Sequence, residues 1–180
     1  MAITAAITVA AATPAAATTE ELMDTTTAFR ENMVRRGVEA NRIGPRLYQG
    51  SKPPFGRNVQ RAGFDILVLC AIEHQPRSRA FPGVHVVHCP LDDADHLPSD
   101  FEWELAKQTG KFVADCVRAG GRSLITCMQG RNRSGLVTAL ALHTLTGQPG
   151  HVCVKYVQEG RTAAPALTND YFIAALATLR

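Results

Sequence analysis

The 180-residue sequence lacks several features that would assign it to common protein classes. It has no Cys-x-x-Cys pair, so a structural zinc site is not expected. Its five cysteines are odd in number and widely spread, which argues against a disulfide framework and favours a reducing compartment, the cytoplasm. It has no apolar run long enough to span a membrane. Its formal net charge of +3 is too small to indicate a nucleic-acid-binding protein.

The N-terminal segment is rich in alanine and threonine and carries no charged side chain over residues 1–18. It also lacks the basic start and the distinct apolar stretch of a secretory signal. We therefore expect residues 1–18 to form a flexible tail, with an organelle-targeting segment as the alternative. Residues 19–180 are of a length that predicts a single domain.

The start of that domain shows a helical pattern. Thr18 and Glu21 have the spacing of a capping box, and apolar residues then recur at helical spacing. Arg36-Gly37 resembles a helix end. These features predict a helix over about residues 19–36.

The rest of the domain alternates between strand and helix patterns. A continuous apolar run predicts a strand buried on both faces at 64–72. Further strands are predicted at 84–91 and 122–127, and a short strand or hairpin at 42–50. Helices are predicted at 101–119, 136–147, 150–160 and 168–180, with a short one at 58–63. This alternation predicts an α/β fold with a central, mostly parallel twisted sheet flanked by helices.

The motif that carries chemistry lies between the strand at 122–127 and the next helix. Cys127 and Arg133 are spaced as Cys-x5-Arg, and Gly130 lets the loop between them turn with positive φ. Backbone N–H groups of such a loop converge at a helix N-terminus, which binds a phosphate dianion and stabilises a thiolate. The predicted phosphate-binding residues are Met128, Gln129, Gly130, Arg131, Asn132 and Arg133.

Three side chains receive catalytic roles from this arrangement. Cys127 is the predicted nucleophile, and the planar fork of Arg133 can bind two phosphate oxygens. Ser134 would place a hydroxyl near the sulfur and help it leave the phosphorylated intermediate. The alternative is that Cys127 is a buried structural thiol. A second Cys-x5-Arg pair, Cys116 and Arg122, lies at the end of a predicted helix and is interpreted as coincidence.

A phosphatase of this kind also needs a general acid to protonate the leaving oxygen. The polar loop after the strand at 84–91 contains Asp92, Asp93 and Asp95. The residues alone do not select one of the three, and a solvated turn is the competing interpretation.

The segment Thr126–Ser134 resembles the signature HCxxGxxRS of the dual-specificity branch of the protein tyrosine phosphatase superfamily. The resemblance covers about residues 40–178 and implies a protein tyrosine phosphatase-like fold that needs neither metal nor cofactor. Pro90 and Asp93 match the family's P-x-x-D acid loop, so the resemblance implies that Asp93 is the general acid. One departure is clear: Thr126 stands where the family has histidine.

The resemblance implies a phosphatase that acts through a phosphocysteine intermediate on phosphotyrosine and phosphoserine or phosphothreonine in proteins. Alternatives are a phosphoinositide phosphatase, favoured by basic Arg131, and an RNA 5′-phosphate phosphatase, favoured by the Asn132-Arg133 pair. A catalytically weak phosphate-binding module is a further alternative.

Some relatives have a cysteine in a context like that of Cys70. The resemblance therefore implies that Cys70 is a redox partner for Cys127. The competing interpretation is that Cys70 is a small buried hydrophobic residue.

Overall fold

A six-stranded mixed sheet organises the protein in the computed structural model, which describes residues 32–180. Its strands, in chain order, are β1 (Asn32–Arg35), β2 (Val38–Gly44), β3 (Leu47–Gly50), β4 (Ile66–Ala71), β5 (His85–Leu91) and β6 (Ser123–Thr126). In space they follow the order β1-β2-β3-β6-β4-β5. The β3, β6, β4 and β5 strands run parallel, whereas β1, β2 and β3 form antiparallel pairs. The predicted α/β fold with a mostly parallel sheet is confirmed.

Helices fill the connections between the strands. They are α1 (Asn58–Arg61), α2 (Asp100–Arg118), α3 (Asn132–Thr146), α4 (Gly150–Gly160) and α5 (Asp170–Ala177), with a 3-10 turn at Ser78–Ala80. Each agrees with a predicted helix to within a few residues. The α3 helix differs most, because it begins at Asn132, inside the Cys-x5-Arg motif, whereas its apolar run begins at Leu136.

The predicted helix over 19–36 is wrong at its C-terminal end. Residues 32–35 form β1, which pairs with β2 through the register Arg35↔Val38. Arg36 and Gly37 both have positive φ, at 55° and 76°. Positive φ at both central residues is typical of the two-residue turn of a β-hairpin, so Arg-Gly here joins two strands rather than ending a helix. The remainder of that prediction, residues 19–31, and the predicted tail at 1–18 lie outside the described residues.

The sheet is buried on both faces, which explains the continuous apolar run of β4. Ile66, Val68 and Cys70 face the larger core, to which α2, α3, α4 and α5 contribute. Leu67 and Leu69 face a smaller core that α1 covers. Side chains alternate across a strand, so a strand buried on both faces must be apolar at every position.

None of the helices in residues 32–180 is long and apolar enough to cross a bilayer.

Candidate active site

The Cys-x5-Arg segment forms a loop between the end of β6 and the first turn of α3. Gly130 in this loop has φ of +66°, which side chains rarely tolerate. A Cβ atom at Gly130 would lie 2.5 Å from the carbonyl carbon of Gly50. The loop therefore needs glycine here both for its backbone conformation and for the close approach of β3.

The carbonyl groups of the loop are bonded on its outer side. The Gly130 carbonyl accepts hydrogen bonds from Gln49 Nε2 at 3.0 Å and from Arg161 Nε at 2.9 Å. The Met128 carbonyl accepts one from the backbone N–H of Lys52 at 3.3 Å. In a trans peptide the next N–H points away from the preceding carbonyl, so the N–H groups of residues 129 and 131 are turned toward the loop interior. Inward N–H groups are what a phosphate dianion requires.

Arg161 fixes this scaffold from the C-terminal part of the chain. Its guanidinium group forms an ion pair with Glu39, in which Nη2 lies 2.8 Å from Oε2, and it also donates to Asn41. Burial alone would raise the pKa of Glu39, but the hydrogen bonds and positive charge of Arg161 outweigh it and lower that pKa. Sequence reasoning missed these residues because they lie far from the motif along the chain.

Cys127 and Ser134 face each other at the base of the loop. The sulfur of Cys127 lies 3.3 Å from the Ser134 hydroxyl, and both side chains are buried. Ser134 belongs to the first turn of α3, so the thiol stands at a helix N-terminus. The Ser134 hydroxyl and the N-terminal end of α3 are therefore the groups next to the sulfur.

Arg133 is held by Glu73, a residue to which sequence reasoning gave no role. The two side chains form a bidentate pair, with Nη2 of Arg133 2.8 Å from Oε1 of Glu73. Hydrogen bonds from Arg133 lower the pKa of Glu73. Glu73 lies two residues after the end of β4, and a carboxylate at the carboxyl end of a parallel strand was the signal in the sequence that could have identified it. Nε of Arg133 is buried and has no hydrogen-bond partner among the described residues.

Of the three aspartates in the loop after β5, Asp93 contacts the Cys-x5-Arg segment, residues 127–133, which we call the phosphate loop. Its Oδ2 accepts a hydrogen bond from Asn132 Nδ2 at 3.3 Å, and its Oδ1 accepts one from Asn169 Nδ2 at 3.0 Å. The backbone N–H of Asp92 donates to Glu102, which anchors the start of the loop. Asp93 and Asp95 line a cavity of about 300 Å³ next to Asn132. The structure thus brings together Cys127's loop and Asp93, although they are far apart in sequence.

The other side chains in and beside the loop have different surroundings. Arg131 Nε donates to the carbonyl of Pro165 at 2.8 Å. Gln129 is exposed, and Met128 packs against the larger core. Thr126, at the position of the family's histidine, donates its hydroxyl to the Val68 carbonyl at 2.9 Å. Thr126 therefore ties β6 to β4.

Three cysteines lie side by side at this edge of the sheet. Cys70 follows Leu69, which is in register with His88 of β5 and Thr126 of β6, and a register shift in the β4–β5 pairing begins after Leu69. Cys70 donates a hydrogen bond to Cys89, and Cys127 is the residue that follows β6. Burial raises the pKa of Cys70 well above its ordinary value. A hydrogen bond from Cys70 lowers the pKa of Cys89. All five cysteines are free thiols. Among residues 32–180 there is no cluster of three or more His, Cys, Asp or Glu side chains that could hold a metal.

Comparison with known proteins gives a consistent picture. No protein-family model matches the sequence. Human dual specificity phosphatase 28 is 36% identical over 100 residues, which is 53% of each chain, so this chain spans about half the length of that relative. The crystal structure of human DUSP28 matches with a TM-score of 0.62 and 25% identity, covering 82% of this chain and 95% of that one. A mutant form of Tk-PTP matches with a TM-score of 0.65 and 25% identity, covering 78% and 93%.

The two structural matches span more than nine-tenths of each solved chain. The similarity extends to sequence through the curated human relative. In sequence and in fold, the chain is similar to dual-specificity phosphatases of the protein tyrosine phosphatase superfamily.

Proposed function

We propose that this protein is a cysteine-dependent phosphatase that hydrolyses phosphotyrosine and phosphoserine or phosphothreonine in proteins. One observation carries the proposal: the Cys127 sulfur stands at the N-terminus of α3, 3.3 Å from the Ser134 hydroxyl, beneath a loop whose carbonyls are bonded outward. A thiolate there is adjacent to the N–H groups and to Arg133, which can hold the oxygens of a phosphate.

In the first step the Cys127 thiolate attacks phosphorus in line with the leaving oxygen. A sulfur–phosphorus bond forms as the phosphorus–oxygen bond breaks, and Asp93 gives its proton to the leaving oxygen. The loop N–H groups and Arg133 bind the equatorial oxygens, where the charge of the transition state is concentrated. Glu73 orients the Arg133 guanidinium for that contact.

In the second step water hydrolyses the phosphocysteine. Asp93, now ionised, accepts a proton from the attacking water, and phosphate leaves from the sulfur. The Ser134 hydroxyl can donate a hydrogen bond to the departing thiolate, which makes the sulfur a better leaving group. Neither step uses a metal or an organic cofactor.

Arg131, the basic residue that favours the phosphoinositide alternative, donates from its Nε to the Pro165 carbonyl. This contact ties the side chain to the segment before α5 but uses one of its five N–H donors, so phosphoinositides remain an alternative substrate class. An RNA 5′-phosphate remains the other alternative within this chemistry. The Asn132 side chain, which motivated that alternative, is used in contacts with Asp93 and Thr168.

The test is hydrolysis of para-nitrophenyl phosphate with EDTA and reductant present, comparing the wild type with Cys127→Ser. Metal-independent turnover that is lost in the variant supports the proposal, and phosphopeptides are then compared with phosphoinositides and an RNA 5′-phosphate. Wild-type protein that binds phosphate without turnover would indicate a binding module instead.

We also propose that Cys70 is the redox partner of Cys127. Each cysteine comes directly after one member of the Leu69↔Thr126 pair of adjacent strands, and the buried position of Cys70 keeps it reduced until Cys127 is oxidised. Peroxide converts Cys127 to a sulfenic acid, and the Cys70 thiol displaces water to form a disulfide. Peptide mapping under non-reducing conditions should find a Cys70–Cys127 link; a Cys70–Cys89 link alone would contradict the proposal.

The need to keep these thiols free supports a cytoplasmic location.

A further inference from the structure

Two asparagine side chains hold the Asp93 carboxyl group, one at each oxygen. Asn132 Nδ2 donates to Oδ2 at 3.3 Å, and Asn169 Nδ2 donates to Oδ1 at 3.0 Å. The amide of Asn169 also donates to the Ala94 carbonyl at 3.2 Å, so it holds the backbone of the acid loop as well. Asp93 itself is exposed, and among the described residues these two amides are the side-chain groups that donate to its carboxyl group.

The orientation of each amide is dictated by a second set of contacts. Asn132 Oδ1 accepts from the backbone N–H of Thr168 at 2.9 Å and from its hydroxyl at 3.2 Å. Asn169 Oδ1 accepts from the N–H groups of Tyr171 and Phe172, which makes it the N-cap of α5. Because both carbonyl oxygens are engaged by donors, both amide nitrogens must face Asp93.

The two asparagines come from different parts of the chain. Asn132 is the first residue of α3 and precedes Arg133, whereas Asn169 belongs to the segment that leads into α5. The contacts therefore connect an exposed loop to the first residue of α3 and to the N-cap of α5, and α3 also presents the phosphate-binding arginine. An exposed carboxyl group with no such contacts would sample many orientations, most of them unproductive for proton transfer.

We infer that Asn132 and Asn169 are positioning residues that aim Asp93 at the leaving oxygen and stabilise it as it ionises. The inference rests on the proposed function. When Asp93 gives its proton to the leaving oxygen, its carboxyl group becomes negative, and N–H donors bind a carboxylate more strongly than a neutral acid. The two amides are thus bound more tightly in the transition state than in the ground state, which is the condition for raising kcat.

The test uses the dependence of rate on the leaving group. A poor leaving group such as the phenolate of phenyl phosphate needs proton donation, whereas an activated, strongly acidic phenol does not. In the double variant Asn132→Ala/Asn169→Ser we expect kcat for phenyl phosphate to fall by about 10- to 100-fold, within the range that acid catalysis supplies. In Asn169→Ser alone, kcat for the activated substrate should change by less than about 3-fold and KM should change little, because Asn169 lies outside the phosphate-binding loop.

Two further variants make the result specific. In an Asp93→Asn background the asparagine substitutions should cause no additional loss, because the group that they position has been removed. The matched control is Asn58→Ser, since Asn58 also donates its amide to a backbone carbonyl but lies at α1, on the opposite face of the sheet. Asn169→Ser retains a side-chain oxygen that can cap α5. If the protein with Asn169→Ser does not fold, Asn169→Asp is used in its place, because aspartate also caps helices.

Different outcomes contradict different statements. Equal losses for both leaving groups, or a loss that persists in the Asp93→Asn background, would overturn the inference while leaving the proposed function intact. Wild-type turnover that is independent of Cys127 would overturn the proposed function and this inference with it.

Discussion

Two loops meet at the carboxyl edge of the sheet, and they are held in opposite ways. The phosphate loop, residues 127–133, has buried ends at Cys127 and Arg133, and its carbonyls are bonded by the buried side chains of Gln49 and Arg161. The acid loop, residues 92–98, is mostly exposed. Its side-chain anchors are the Glu102 carboxylate at one end and two asparagine amides at Asp93.

This contrast separates stability from activity. Changes beneath the phosphate loop remove buried contacts and should reduce the free energy of unfolding along with the rate. Changes in the acid loop remove solvent-accessible hydrogen bonds and should reduce the rate alone. The four predictions below test that separation, starting from the largest expected effect.

Replacing the exposed acid should reduce activity without unfolding the protein. We expect Asp93→Asn to lower kcat for phenyl phosphate by about 10²- to 10⁴-fold, which is the usual contribution of a general acid. The free energy of unfolding, measured in urea, should change by less than about 1 kcal/mol because the residue is exposed. Asp95→Asn is the matched control in the same loop. A larger loss in that control would transfer the acid role to Asp95.

Breaking the buried ion pair beneath the phosphate loop should destabilise the whole domain. The Arg161 side chain is 1% exposed, and its removal leaves Glu39 without its partner. We expect Arg161→Met to cost about 3–5 kcal/mol in urea unfolding. The exposed pair Lys155–Glu159 is the control, and Lys155→Met should cost less than about 1 kcal/mol. Similar costs for the two variants would contradict the scaffold role of Arg161.

Two glycines with nearly the same backbone conformation allow strain to be separated from crowding. Gly130 and Gly147 have φ of 66° and 68°, but an added Cβ would collide with Gly50 only at Gly130 and would meet nothing within 4 Å at Gly147. Gly147→Ala should cost about 1–2 kcal/mol, the conformational term alone. Gly130→Ala should cost about 1–3 kcal/mol more and also reduce kcat/KM. Equal costs in urea unfolding would mean that β3 can move away.

The smallest effect is expected in the acid dependence of stability. The pKa of Glu39 is lowered from its ordinary value of 4.5, so its ion pair stabilises the protein fully above that pH and the contribution is lost as pH falls through the lowered pKa. Urea midpoints measured between about pH 6 and pH 3 should fall less steeply in Glu39→Gln than in the wild type. A steeper fall in the variant would contradict this sign.

Local patterns predicted most of the fold because they reflect short-range physics. The apolar run of β4 indicated a strand buried on both faces, and that is where β4 lies. Arg36-Gly37 was misinterpreted because an Arg-Gly pair suits both a helix end and a hairpin turn. The choice between them depends on pairing of β1 with β2, which local sequence does not report.

In the candidate site, too, local sequence predicted the residues that are close along the chain and did not predict the contacts between distant ones. The Cys-x5-Arg spacing identified Cys127, Arg133 and Ser134 as one group, since a strand, a tight loop and a helix turn place such residues together. The role of Asp93 among three nearby aspartates came from family resemblance. The functional roles of these residues stay predictions, whereas their proximity is a property of the structure.

By itself, the sequence determined the nucleophile candidate, the phosphate loop and the parallel sheet that carries it, because these depend on neighbouring residues and on side-chain periodicity. Only the tertiary structure decided that Glu73 orients Arg133, that Arg161 supports the loop, and that Asn132 and Asn169 converge on Asp93. Such contacts join residues that are distant in the chain. Which of them come into contact depends on how the helices and strands pack, and local sequence does not report that packing.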